Sequence, residues 1–141
     1  MGKLIDWVLR SGGIAVCVCD ADITRTNEER KKAFQAMKAK YAENKDVLIC
    51  DSMPSIEFWF LIHYVNTSKY FKDSDAVIQT LRRHISDYDK SGAFLEKQQW
   101  VAEMSTDKRQ TEACNRATLL GPDSESYSEI HHAIKLFTDT K

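Results

Sequence analysis

Six consecutive apolar residues, Ile14-Ala15-Val16-Cys17-Val18-Cys19, constrain this chain more than any other feature. The run lies between a Ser11-Gly12-Gly13 turn and an acidic Asp20-Ala21-Asp22. With no polar alternation, it reads as a strand buried on both faces, the pattern of a parallel sheet covered by helices. A second short run, Val47-Leu48-Ile49-Cys50, ends at Asp51-Ser52. Between the two, Thr26-Asn27-Glu28-Glu29 fits a capping box with Thr26 as N-cap. The stretch that follows, to about residue 44, is rich in the helix formers Ala, Lys, Gln and Met. Ala33, Phe34, Met37 and Tyr41 give it one apolar stripe. Strand, helix and strand make a βαβ unit with a right-handed crossover. Both strands then end at the same carboxyl edge, where open α/β sheets place their ligands.

The rest of the chain reads as helical. Residues 4–9 have an apolar stripe (4, 5, 8 and 9) that stops at the glycine turn. Residues 56–65 are nearly all apolar and are read as a buried helix with Pro54 at its first position. Val77, Ile78, Leu81 and Ile85 mark a helix over 75–85, with Ser74 as its cap. Residues 86–92 are a turn-rich connection. Further helices are expected over 93–104 and 107–120, the second closed by Gly121-Pro122. Ser126-x-x-Glu129 fits another capping box, opening a helix with Ile130, Ala133, Ile134 and Phe137 on one face.

At 141 residues with 43% hydrophobic content, the chain is expected to form one domain, spanning 1–141, around one core. Lys plus Arg is 20 against 21 Asp plus Glu, so any grip on nucleic acid must come from a local patch. No apolar stretch reaches 18 residues, and residues 1–13 carry no signal-peptide core. The expectation is a cytoplasmic protein with no membrane partner. The four cysteines do not resemble a disulfide framework, and Cys17 and Cys19 lack the spacing of a zinc site.

Asp20 and Asp22, one residue apart at a strand's end, can converge on a hard divalent cation that activates water or neutralises a phosphodiester. They can equally be turn residues, for which Asp is common. The second feature is Asp51-Ser52-Met53-Pro54-Ser55-Ile56-Glu57-Phe58-Trp59-Phe60-Leu61-Ile62-His63-Tyr64. Its Ser-x-Pro, x-x-Glu-x-Trp and closing His-aromatic resemble the RloB-like proteins, small bacterial proteins with a Toprim-like core linked to restriction and abortive-infection loci. Ser52, Pro54, Glu57, Trp59, His63 and Tyr64 match in place. The resemblance continues at Tyr88-Asp89-Lys90, in the helix over 113–120 and over 124–137.

The resemblance implies an α/β fold: a small, truncated Toprim-like parallel sheet with a helix-rich C-terminal half. It implies Mg²⁺ (or Mn²⁺) on Asp20 and Asp22 for phosphoryl transfer, within a nuclease-type module of bacterial phage defence. It also implies an opening strand carrying a Glu, which the 13 residues before Ile14 do not contain. The expectation is a truncated product, or a partner chain that supplies the piece. Glu57 is then a third metal-site carboxylate or orients a metal-bound water; its other reading is a first-turn acid favoured by the helix dipole. Ser52 either binds phosphate or caps the helix. Lys90 either meets a phosphate or stays solvated. His63 reads as a core histidine, and Arg82-Arg83-His84 as a basic patch or a wet helix face. The alternative to an enzyme is a catalytically incomplete module that binds nucleic acid or a partner protein such as an ATPase. An unpaired sheet edge also favours a homo-oligomer.

Overall fold

The computed structural model describes residues 1–139. Helix α1 (Gly2–Arg10) leads into β1 (Ala15–Asp20). The short α2 (Ile23–Thr26) and the long α3 (Glu28–Tyr41) carry the chain over to β2 (Val47–Met53). These strands pair in parallel, Ala15 opposite Val47 through Asp20 opposite Ser52, as the βαβ reading requires. The cap of α3 is Asn27, whose side chain accepts the Arg30 amide at 3.0 Å, and not Thr26, which is used up as the last residue of α2.

Helix α4 (Ile56–Leu61) follows β2, but it is shorter than the apolar run suggests. The run outlasts the helix because a buried chain can stay apolar after its helix ends: Ile62 and His63 remain buried in the turn that follows. Pro54 precedes the N-cap, Ser55, instead of occupying the first turn. Helix α5 (Ser74–Leu81) is capped by Asp73, which accepts the Ala76 amide at 2.9 Å, so the cap falls one residue before Ser74. The single helix expected over 93–104 divides into α6 (Gly92–Leu95) and α7 (Gln99–Met104). Helix α8 (Asp107–Leu120) ends at Gly121, whose φ of 58° suits glycine.

The capping box at Ser126 is not formed. Tyr127–Ser128 instead make β3, antiparallel to β2 with Ser52 opposite Ser128, and α9 (Ile130–Asp139) starts beyond Glu129. The Ser126 hydroxyl accepts the Phe71 amide at 3.3 Å, tying two distant loops together. The fold is thus α/β, a small mixed sheet in the order β1-β2-β3 with a helix-rich second half.

Strand alternation divides the core between the two faces of the sheet. Val16, Leu48 and Cys50 face the main core, built on Phe58, Leu61, Ile62, Val77, Leu81 and the aromatic cluster of Tyr88, Phe94 and Trp100. Ala15, Cys17, Val47 and Ile49 face a smaller cluster closed by Ile5 of α1 and Tyr41 of α3. The expectation that the apolar run 14–19 is buried on both faces fails at Ile14, 53% exposed just before β1, and at Val18, 48% exposed within it, because β1 is an edge strand of the sheet.

Candidate functional site

The carboxyl ends of β1 and β2 are stapled together. Beyond Asp20, the Ala21 amide donates to the Ser52 carbonyl at 2.8 Å and the Asp22 amide to the Pro54 carbonyl at 3.1 Å. Asp20 Oδ1 accepts the Ile56 amide at 2.8 Å, one of the first-turn donors that α4 cannot satisfy internally. The Asp22 carboxylate flanks α2 without capping it.

Glu57, next to Ile56, is 2% exposed and surrounded by donors. Its Oε2 accepts from the hydroxyls of Ser55 at 2.6 Å and Ser74 at 3.2 Å. Its Oε1 accepts from the Tyr88 phenol at 3.0 Å and lies 3.5 Å from Lys90 Nζ. Burial alone would raise the Glu57 pKa. The hydrogen bonds from Ser55, its own amide and Tyr88, with the Lys90 charge, outweigh that and hold it below the ordinary value. Asp20 goes the other way. Burial raises its pKa, the Ile56 amide opposes, and the nearby charges of Glu57 and Asp22 push further up against the pull of Lys90. Tyr88 is also driven well above its usual value, by burial and then by Glu57.

Asp20, Asp22, Glu57 and Lys90 are therefore brought to one edge, as the sequence suggests. Ser52 is not brought with them. It is fully buried, its hydroxyl lies 2.8 Å from that of Ser128, and it neither caps α4 nor reaches a surface where phosphate could arrive. The oxygens of Asp20 and Asp22 suit a hard cation such as Mg²⁺. Those of Glu57 are already shared among four donors, which makes it the anchor of Tyr88 and Lys90. His63 is a core histidine: its Nδ1 lies 2.8 Å from the Trp59 carbonyl and its ring packs edge-on to Trp59. Arg82, Arg83 and His84 do not act as one patch, because Arg82 is spent on the Tyr88 carbonyl and His84 stacks on Tyr64.

Two polar features escape the sequence reading. Asp51 is fully buried, accepting the Tyr127 phenol at 2.5 Å and pairing with Lys38 at 3.0 Å. Arg25 donates to the carbonyls of Phe71 (2.6 Å), Lys72 (3.1 Å) and Glu125 (2.5 Å), binding α2 to two loops. Asp51 could have been singled out as the acid following an apolar run; nothing local marks Arg25.

No curated protein and no solved structure matches this chain. The sequence pattern of the family described as RloB-like protein matches residues 10–140, from the end of α1 through α9. That span includes every residue of the carboxyl edge and the whole main core, and the chain belongs to the RloB-like protein family.

Proposed function

We propose that the chain is a Mg²⁺-dependent module that cleaves nucleic-acid phosphodiesters in bacterial defence against phage, on a Toprim-like core. The observation that supports this most is the pairing of Asp20 and Asp22 with a lysine anchored on a buried carboxylate at the same sheet edge. A phosphodiester bound to a hard cation needs this combination: acidic oxygens for the metal and a cation for the phosphate. Asp20 and Asp22 hold Mg²⁺ or Mn²⁺, which when bound offsets charge developing on the phosphoryl oxygens. The Ile56 amide fixes Asp20. Glu57 keeps Tyr88 and Lys90 at the rim, and the half-exposed ammonium of Lys90 leans out to a backbone phosphate.

The test is incubation of the purified chain with single- and double-stranded DNA and RNA and either metal. Chelator-sensitive cleavage should fall at least about 100-fold in an Asp20→Asn, Asp22→Asn variant, since charge stabilisation by a metal contributes several kcal/mol. Lys90→Ala should mainly weaken binding. Cleavage that persists in the double variant would sink the reading.

The outer edge of β1, unpaired among the described residues, favours a second reading, a module that pairs with another chain and does no chemistry. Its partner would be a second copy, nucleic acid or a protein such as an ATPase. It predicts association without cleavage on any of the four substrates.

A further inference from the structure

At the other edge of the sheet, past β3, the chain carries Glu129, His131 and His132. One potential ligand atom from each lies within 4.8 Å of the other two. Backbone bonds set this grouping up. The Glu129 amide donates to the Asp51 carbonyl at 2.9 Å, fixing the entry to α9 against β2, and the His132 amide donates to the Glu129 carbonyl at 3.1 Å. His132 Nε2 lies 2.8 Å from Glu129 Oε2, and the two imidazole rings are 4.0 Å apart between centroids.

His131 is prepared in a specific way. Its Nδ1 lies 3.2 Å from the Ser128 carbonyl, which can only accept, so Nδ1 carries the proton and Nε2 keeps its lone pair. A metal-ligating imidazole is oriented by the same kind of bond from its other nitrogen.

Two imidazoles and one carboxylate are a donor set for Zn²⁺ and similar transition metals, whereas Mg²⁺ prefers oxygen alone. Metal–ligand bonds of about 2.0 Å in a tetrahedral site put ligand atoms about 3.3 Å apart. The cluster reaches that by small side-chain rotations, chiefly of His132, which is exposed. A fourth position is left for water. We propose that Glu129, His131 and His132 bind one transition-metal ion of the Zn²⁺ class, at the sheet edge opposite Asp20 and Asp22 and independently of them.

The test is calorimetric titration of Zn²⁺ alone into reduced, chelator-stripped protein, with visible absorption of Co²⁺ as a report on ligand geometry. One ion per chain is expected. Glu129→Gln and His132→Gln should each lower affinity about tenfold or more, and Asp20→Asn should not change it. Both substitutions keep the backbone bonds of α9, and circular dichroism checks that the variants remain folded. The proposal is overturned by the absence of saturable Zn²⁺ binding, or by affinity within about twofold of the parent in both variants. Binding abolished by blocking the free thiols of Cys17, Cys19, Cys50 and Cys114, with the two variants intact, would place the ion elsewhere and also overturn it.

Discussion

A carboxylate as deeply buried as Glu57 must recover its lost hydration from protein donors, and it has three hydroxyls and an ammonium within reach. Its folded-state pKa lies below the ordinary 4.5, so the unfolded chain binds more protons in that window. Its contribution to stability is present above about pH 4.5 and is lost as pH falls through the lower, folded value. Glu57→Gln should cost about 1–3 kcal/mol near neutrality by breaking a satisfied network. It should also flatten the acid side of the stability profile, measured by urea unfolding from pH 3 to 7; an unchanged acid slope would contradict this. Asp20 has the opposite sign. Its raised pKa means that its charge is disfavoured in the native state, and stability from this group grows as pH falls through the folded value. Asp20→Asn should therefore leave the unfolding midpoint at pH 7 unchanged or higher, as expected where charges are crowded for function. A clear loss of stability would make Asp20 a structural acid. These roles were legible to different degrees. Asp20 and Glu57 stand at a strand end and a helix start, which local pattern reveals. The buried pairing of Ser52 is not visible locally, because its partner Ser128 is 76 residues away.

At the scale of elements, a two-residue strand joins the second half of the chain to β2. Tyr127 in β3 donates to buried Asp51 in β2, whose other oxygen takes Lys38 from α3, so three elements share one carboxylate. Tyr127→Phe keeps the ring and removes one donor from an acid with no access to water. It should destabilise by about 1–3 kcal/mol. Denaturant unfolding measures this, and a change below about 0.5 kcal/mol would show that Lys38 satisfies Asp51 alone. The parallel pair β1 and β2 was readable from apolar runs bounded by turns and acids. β3 was not, because two residues carry no periodicity and Ser126 with Glu129 resembles a helix start. The division of α6 from α7 was hidden for a similar reason: neither glycine nor proline interrupts residues 96–98.

Across the whole molecule the two faces of the sheet are unequally covered. The main core draws on α4 through α9, while α1 and α3 close the smaller cluster around Ile5, Ala15 and Tyr41. Leu4, Trp7, Ile14 and Val18 are left exposed about α1 and β1. Among the described residues the outer edge of β1 is unpaired and Val18 is exposed on that strand, which predicts self-association, for which a two-fold dimer is the commonest closed form. Light scattering over a dilution series should show dimer dissociating to monomer, and Val18→Lys should shift it to monomer; a strictly monomeric parent would contradict this. No helix among the described residues is long and apolar enough to cross a membrane. Asp20 closes β1 at the end far from its glycine turn, and Asp22 follows just beyond it. The most direct measurement is therefore titration of the whole chain with Mg²⁺ or Mn²⁺. Two carboxylates leave a hard cation largely hydrated, which predicts affinity in roughly the millimolar range. This binding should disappear in the Asp20→Asn, Asp22→Asn variant and persist in Glu129→Gln. Equal Mg²⁺ affinity in the parent and the double variant would contradict the account.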